Sequence, residues 1–212
     1  TTAHTLSLHD ALPILRLGAG YESPTWYNIR EEARQFVESY SNEFDERISV
    51  NPGIVNVYPE YTLKTPGKLT ASGAVILGAT GLISVDYSYS DYSNIEFRPK
   101  NDPDFSFQND QIANSLGSVH SFRVGGETRL NSWSLRAGYR YEGSPFVDDS
   151  GMGDLNSYSL GAGYSFGNLR LDLAYVNTQF QENPQLYNVG LTNRANIDRQ
   201  FDNILLSLTF GL

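Results

Sequence analysis

The sequence predicts an all-β protein: a transmembrane, antiparallel, up-and-down β-barrel, of which about eight strands are present. Three observations lead to this prediction. Apolar and polar residues alternate along most of the chain, long and short connections alternate, and the alternating segments are longer than ordinary strands. A tilted strand needs ~9–11 residues to cross the hydrocarbon layer of a membrane, whereas strands in general average ~5–6 residues.

The clearest alternation flanks the pair Gly167-Asn168. The apolar positions before the pair are Tyr158, Leu160, Ala162, Tyr164 and Phe166. Those after it are Leu169, Leu171, Leu173 and Tyr175. A period of two on both sides of a Gly-Asn pair predicts a β-hairpin with a tight turn.

The same period predicts further strands along the chain from Leu15 onward. They span residues 15–22, 60–77, 82–97, 114–130, 132–143 and 196–212. Long connections then fall at 23–59, 98–113, 144–156 and 181–195, and short ones at 78–81, 131 and 167–168. In an up-and-down sheet this alternation puts all long loops at one end, as in outer-membrane barrels with long extracellular loops and short periplasmic turns. We therefore expect a bacterial outer-membrane location, with the short turns and the C-terminus periplasmic.

The composition excludes two other classes of protein. The mean hydropathy is -0.37, which is too polar for a helical membrane protein but compatible with a barrel, where only every second residue must be apolar. The net charge of -9 argues against a nucleic-acid partner, which requires clustered lysine and arginine. The chain has no cysteine, so a disulfide framework and a thiolate metal site are excluded.

A soluble barrel of the lipocalin type, with its apolar face inside, is the alternative fold. Alternation alone does not say which face is inside, so it does not separate the two. The length of the strands and the regular alternation of the loops favour the membrane barrel.

The first fourteen residues are expected to be a non-native artefact. Residues 5–14 (TLSLHDALPI) read as the in-frame translation of a common sequencing-adapter oligonucleotide. We therefore expect residues 1–14 to contribute nothing to the native barrel, and native sequence to continue upstream of Leu15.

Three segments carry a family resemblance. They are residues 63–73 (LKTPGKLTASG), 85–97 (VDYSYSDYSNIEF) and 205–212 (LLSLTFGL). They resemble the FadL/TodX/OmpP1 family of outer-membrane transporters for hydrophobic compounds, in its Bacteroidetes-like form. The last strand of that family usually ends on an aromatic residue, and Leu212 departs from this pattern.

The resemblance implies that residues 15–212 are the C-terminal part of a fourteen-stranded barrel, plugged in the family by an N-terminal hatch. It implies transport of long-chain fatty acids or other hydrophobic compounds by binding-guided passive diffusion, without catalysis, cofactor or metal. The expected partners are outer-membrane lipid, a hydrophobic small-molecule ligand and the barrel assembly machinery, and we expect a monomer. The alternative function is a non-transporting outer-membrane barrel that serves as a surface-interaction or anchoring module.

Within the long extracellular loop 23–59, the sequence predicts a helix over residues 28–41. Ile29, Ala33, Phe36, Val37 and Tyr40 would form an apolar stripe at helical spacing. In the resembled family the corresponding loop helps to form a groove that captures ligand, which implies substrate binding by Phe36, Val37 and Tyr40. The other interpretation is that the stripe packs the helix onto the rim of the barrel.

Charged residues recur at the polar positions of the predicted strands. They are Arg123, Glu127, Arg129, Arg136, Arg140, Glu142, Arg170 and Asp172. If these positions face the lumen, we expect a cross-strand ladder of ion pairs. A guanidinium of this set could instead bind a ligand carboxylate. The only histidine outside residues 1–14, His120, falls at an apolar position with no nucleophile pattern beside it, so no catalytic residue is predicted.

Overall fold

The computed structural model of the chain describes residues 4–7, 15–43, 45–77, 81–148, 151–187 and 189–211. Residues 1–3 and 8–14 of the expected artefact lie outside the described residues. Residues 4–7 form a short strand that pairs with residues 18–21.

The structure consists of sixteen described strands, one α-helix and one 3-10 turn at Tyr92–Asn94. In chain order the strands are β1 His4–Ser7, β2 Leu15–Glu22, β3 Trp26–Ile29, β4 Glu32–Arg34, β5 Val37–Ser41, β6 Glu46–Val50, β7 Val55–Val57, β8 Tyr61–Lys64, β9 Lys68–Leu77, β10 Gly81–Asp91, β11 Glu96–Arg98, β12 Ser118–Leu130, β13 Trp133–Glu142, β14 Leu155–Ser165, β15 Leu169–Glu182 and β16 Ile197–Phe210. The helix, α1, spans Pro103–Ser115. Within the described ranges, no helix is both long and apolar enough to cross a membrane.

The main sheet is antiparallel and has nine strands in the order β1-β2-β9-β10-β12-β13-β14-β15-β16. From β9 onward, each strand of this sheet pairs with the next one along the chain, which is the up-and-down topology predicted from the sequence. The predicted fold class is confirmed. In the described part of the chain β1 and β16 lie at opposite edges, so the sheet is open.

The register gives the main sheet two chemically different faces. On the apolar face, Val85 lies opposite Val124 and Leu160 opposite Tyr175. These side chains are exposed: Leu160 retains 63% of its accessible surface. On the other face, called the polar face below, lie the charged residues predicted for the lumen. The buried residues Val119, Ser121, Ser134 and Ser157 lie on this polar face as well.

Two tight turns close hairpins where the sequence predicted them. Asn131 has a φ of 55°, and the two-residue turn Asn131-Ser132 joins β12 to β13. Gly167 has a φ of 80°, and Phe166 N–H donates to Leu169 O at 2.6 Å. A positive φ is accessible to glycine and asparagine at low cost, which explains their presence at these positions.

The predicted helix over residues 28–41 is wrong. This segment runs as β3, β4 and β5, which pair with β8, β7 and β6 to form one long hairpin arm, residues 26–64. The arm continues the β2–β9 pair beyond the main sheet, and β11 adds a third strand beside β8. The apolar stripe at helical spacing is a local signal. Pairing with residues up to 34 positions away satisfies the backbone N–H and C=O groups of this segment in strands instead.

Helix α1 begins in the segment 98–113 that was expected to be a loop and runs to Ser115, so the next strand begins at Ser118 and not at the predicted residue 114. Asp102 caps its N-terminus, since its carboxylate accepts from Asp104 N at 3.0 Å, and Pro103 follows at the first helical position. Both residue types favour the start of a helix at these positions.

Candidate functional site

A ladder of ion pairs lies on the polar face of the main sheet near the short turns. Glu127 on β12 accepts from Arg129 at 2.8 Å and from Arg136 at 3.1 Å. Arg136 on β13 also pairs with Asp172 on β15 at 2.9 Å, and Asp172 accepts from Arg170 at 2.8 Å. Each carboxylate thus has two guanidinium donors, an arrangement that compensates charge where water is restricted.

The ladder crosses β14 because that strand carries glycine where the charges meet. Gly161 lies opposite Arg136 and Gly163 opposite Asp172. A Cβ atom at Gly163 would lie 2.2 Å from Asp172 Oδ1 and 2.7 Å from Ser134 Oγ. The missing side chains leave the space through which Arg136 reaches Asp172.

Three predicted lumen residues, Arg123, Arg140 and Glu142, lie apart from this ladder, nearer the long loops. Arg123 lies between Asp86 and Arg140 in the register, and it forms no ion pair with a described residue. Arg140 pairs with Glu142, while its Nε is buried and has no partner in the described part of the chain. The structure therefore brings all eight predicted charged residues to one face, but in two groups.

The three predicted groove residues do not share one surface. Phe36 lies between β4 and β5, and it retains 69% of its accessible surface. Val37 pairs with Val50, on the face that also carries Ile48, whereas Tyr40 pairs with Arg47 on the opposite face. The Tyr40 hydroxyl donates to the Asp45 carboxylate. Val37, Ile48 and Val50 thus form one exposed apolar surface of the arm, and the last two were missed because a helix was expected.

A second feature missed from the sequence joins the arm to α1. Phe97 on β11 stacks on Phe105 of α1 with ring centroids 5.7 Å apart, and Tyr61 of β8 lies 5.2 Å from Phe105. The Asn109 carboxamide bonds the backbone of Phe97 twice: Phe97 N–H donates to Oδ1 at 2.7 Å, and Nδ2 donates to Phe97 O at 2.9 Å. A hydrogen bond to Glu31 raises the pKa of the Tyr61 phenol. This cluster holds α1 against the edge of the arm.

Among the residues that the structure describes, no group of three or more histidine and acidic side chains could hold a metal ion.

Comparisons with known proteins give a fold but no close relative. No family model matches the sequence, and no curated protein matches it. Solved structures do match. The monoaromatic hydrocarbon channel CymD is similar over 99% of this chain and 50% of its own, with a TM-score of 0.55 and 16% identity.

Two further structures show the same fold. A FadL homologue of Pseudomonas aeruginosa is similar over 94% of this chain and 50% of its own, with a TM-score of 0.56 and 15% identity. The toluene transporter TodX of Pseudomonas putida is similar over 99% of this chain and 48% of its own, with a TM-score of 0.50 and 15% identity. The family resemblance seen in the sequence is confirmed at the level of the fold. This chain has the fold of FadL-type barrels over about half the length of those proteins.

Proposed function

We propose that the chain is the C-terminal part of an outer-membrane channel that passes long-chain fatty acids or other hydrophobic compounds by binding-guided passive diffusion. One observation carries this proposal: an open sheet with an exposed apolar face and an ion-paired polar face has the fold of half a FadL-type barrel. The similar proteins named for a cargo are a channel for monoaromatic hydrocarbons and a transporter of toluene, which supports a hydrophobic cargo.

The apolar face is proposed to contact outer-membrane lipid. Large contiguous apolar surfaces rarely face water in stable proteins. Aromatic residues border this face at both ends, as in the girdles of outer-membrane barrels. Trp133 packs against Tyr164 at the short-turn end, and Tyr139 packs against Tyr158 nearer the long loops. In this orientation the short turns and the C-terminus are periplasmic, and the arm and α1 are extracellular.

The polar face is then the wall of the lumen. Its role is structural and electrostatic rather than catalytic, because the ladder residues pair with each other instead of with a nucleophile. The proposal therefore includes no enzymatic activity. The C-terminal strand β16 ends at Phe210 with Leu208 in phase, and we propose it as the segment that the barrel assembly machinery recognises. The finished barrel is proposed to be a monomer.

Ligand capture is proposed to occur on the exposed apolar surface of the arm, with Val37 at its centre. Val37, Ile48 and Val50 retain 66%, 54% and 58% of their accessible surface and share one face. Phe36 precedes this surface in the chain, between β4 and β5, whereas Tyr40 lies on the opposite face of the hairpin. Covering an apolar surface of this kind with a hydrocarbon chain is favourable, because it removes apolar area from water.

Quenching of tryptophan fluorescence tests the lipid-facing orientation. Trp26 and Trp133 are the only tryptophans of the chain, so Trp26→Phe isolates Trp133 on the apolar face and Trp133→Phe isolates Trp26 at the base of the arm. In vesicles of brominated lipid, Trp133 should be strongly quenched and Trp26 weakly, while aqueous acrylamide should give the reverse order. Equal quenching of both residues by brominated lipid would refute the orientation.

A binding titration tests the cargo. A fluorescent fatty acid analogue should bind the full chain in detergent saturably, with competition by oleate or toluene according to the natural cargo. Binding that never saturates would contradict the transport proposal and favour the second candidate, a surface-interaction or anchoring module. The exposed surface of the arm is the observation that favours this second candidate.

A further inference from the structure

The apolar face of the main sheet changes abruptly to polar along two adjacent strands. On β15 and β16, four successive cross-strand pairs are apolar: Leu169–Phe210, Leu171–Leu208, Leu173–Leu206 and Tyr175–Ile204. The next three pairs on the same face are polar: Asn177–Asp202, Gln179–Gln200 and Gln181–Asp198. These six polar residues are called the carboxamide wall below. Its position is at the long-loop end, directly beyond the surface proposed to face lipid.

Hydrogen bonds hold the side chains of the carboxamide wall in place. Asp202 accepts from Tyr175 OH at 2.6 Å, from Asn177 Nδ2 at 2.7 Å and from Gln200 Nε2 at 3.1 Å. Gln181 Nε2 donates to Asp198 at 2.9 Å. A wall that is already ordered loses little conformational entropy when a ligand binds.

These bonds leave one kind of group open. Gln179 Nε2 donates to Asn177 Oδ1 at 2.8 Å, so all three glutamines of the wall use their N–H groups as donors. Among the described residues, no hydrogen bond reaches the Oε1 atoms of Gln179, Gln181 and Gln200. The wall therefore presents a row of carbonyl acceptors, together with the second N–H of each amide.

A cavity of about 690 Å³ lies at this end of β14, β15 and β16. Its polar lining includes four residues of the carboxamide wall, and the loop before β14 contributes the ring of Phe146. The volume falls within the range of small-molecule sites, ~300–1,000 Å³. The wall thus borders a concave space that a ligand can enter.

The charges of the cavity select against several ligand classes. Its acidic lining residues include Asp154 and Asp198, which accept hydrogen bonds from uncharged donors. The described lining has one cationic side chain, Arg199, which pairs with Glu182 at 3.0 Å. A phosphate or carboxylate would meet an acidic excess, and a hydrocarbon would leave the amides unsatisfied. An uncharged molecule rich in hydroxyl groups offers the donors that the open carbonyl oxygens accept.

We infer that this cavity is a binding site for an uncharged saccharide, held by the carboxamide wall. The saccharide is either the headgroup of a membrane glycolipid or a free oligosaccharide. The glycolipid source rests on the proposed orientation in the membrane, because only then does the cavity lie at the level of the outer headgroups. The site itself does not depend on transport, and it is separate from the ion-pair ladder and from the apolar surface of the arm.

Titration of the full chain in a sugar-free detergent tests the inference. The probes are maltotriose as a free saccharide, digalactosyl diacylglycerol as an uncharged membrane glycolipid, and spermine as a cation. The double variant Gln179→Ala with Gln200→Ala should weaken saccharide binding at least tenfold. Gln185→Ala is the matched control, because Gln185 lies in the following loop outside the cavity lining, and it should change binding less than twofold.

Each outcome decides one question. Binding of both saccharide probes, or of digalactosyl diacylglycerol alone, with loss in the double variant, supports the site and a glycolipid source. Binding of maltotriose alone supports a free saccharide. Binding of neither probe to the unmodified chain, binding of spermine alone, or binding unchanged in the double variant overturns the inference. If the double variant does not fold, the titration of the unmodified chain still decides, and the fatty acid titration reports separately on transport.

Discussion

Arg136 on β13 and Asp172 on β15 form an ion pair with 2.9 Å between Nη1 and Oδ1, although β14 lies between their strands. Cross-strand pairs usually join neighbouring strands, whose opposed Cβ atoms lie ~4.5–5.5 Å apart. Here the intervening residues Gly161 and Gly163 have no side chain, so the guanidinium passes over β14. Two glycines thereby link three strands into one charged unit on the polar face.

Replacement of Gly163 by valine should break this link. The new Cβ would lie 2.2 Å from Asp172 Oδ1, so the carboxylate must leave at least one of its two arginines. Overpacking of this kind costs ~1–3 kcal/mol, and we expect that loss in the free energy of unfolding measured by urea titration in detergent. Gly20→Ala is the matched control, since Gly20 lies on the same face and nothing is within 4 Å of its Cβ position. Equal stability of the two variants would show that the ladder does not contribute.

Asn109 should be the residue that fixes α1 to the arm. Asn109→Ala removes both hydrogen bonds to the backbone of Phe97, and we expect a local loss of about 1–2 kcal/mol because two backbone groups lose their partner. Hydrogen exchange at the Phe97 amide measures this loss as a lower protection factor. Asn114→Ala, at an exposed position of the same helix, is the control and should leave Phe97 protected. Unchanged protection in Asn109→Ala would mean that the aromatic stacking alone holds the helix.

The parts of the fold that the sequence predicted are those with local signals. The alternation around Gly167-Asn168 and the strand Leu15–Glu22 depend on neighbours a few residues away, and both are as expected. The alternation predicted that the residues of the ladder share one face. It did not predict the Arg136–Asp172 pair, because this pair joins positions 36 residues apart and crosses the intervening strand β14. The pair Asp102-Pro103 is also a local signal for the start of a helix, although this segment was expected to be a loop.

The failure at residues 28–41 has a different cause. The spacing of the apolar residues fits a helix, and the information that makes the segment β lies in its partners at 46–64. Pairing with those partners places Val37 and Tyr40 on opposite faces, and it places Ile48 and Val50 on the same face as Val37. The candidate capture surface could therefore not be predicted from one segment alone.

Glu96 should make the base of the arm sensitive to acid. A hydrogen bond from Lys100, with a second from Arg98, holds the pKa of this carboxylate below its usual range. The two ion pairs of Glu96 therefore contribute their full stabilisation at pH values above the ordinary pKa of glutamate. This contribution is lost as the pH falls through the lowered pKa of Glu96 in the folded state. Titration of the Glu96 carboxyl by NMR should give a midpoint below that of the unfolded chain.

Salt and substitution check this assignment. Both cationic side chains are largely exposed, so 1 M salt should move the midpoint of Glu96 back toward its ordinary value. At acid pH we expect lower hydrogen-exchange protection at β11, and Glu96→Gln should remove this dependence on pH. Glu43→Gln, in the distal turn of the arm, should preserve it. An unshifted midpoint in the unmodified chain would contradict the prediction.

The proposed capture surface predicts a difference between two residues on opposite faces of β5. Val37→Asp puts a charge on the face shared with Ile48 and Val50, so it should weaken binding of a fluorescent fatty acid analogue roughly tenfold, as expected from the ~1.5–3 kcal/mol of burying a valine. Tyr40→Phe keeps the ring on the opposite face and loses only the contact to Asp45, so it should bind normally. If instead both positions faced the ligand, as a helical stripe requires, Tyr40→Asp would impair binding as strongly as Val37→Asp. Strand geometry places only Val37 on the apolar surface, and the dissociation constants of these three variants separate the two arrangements.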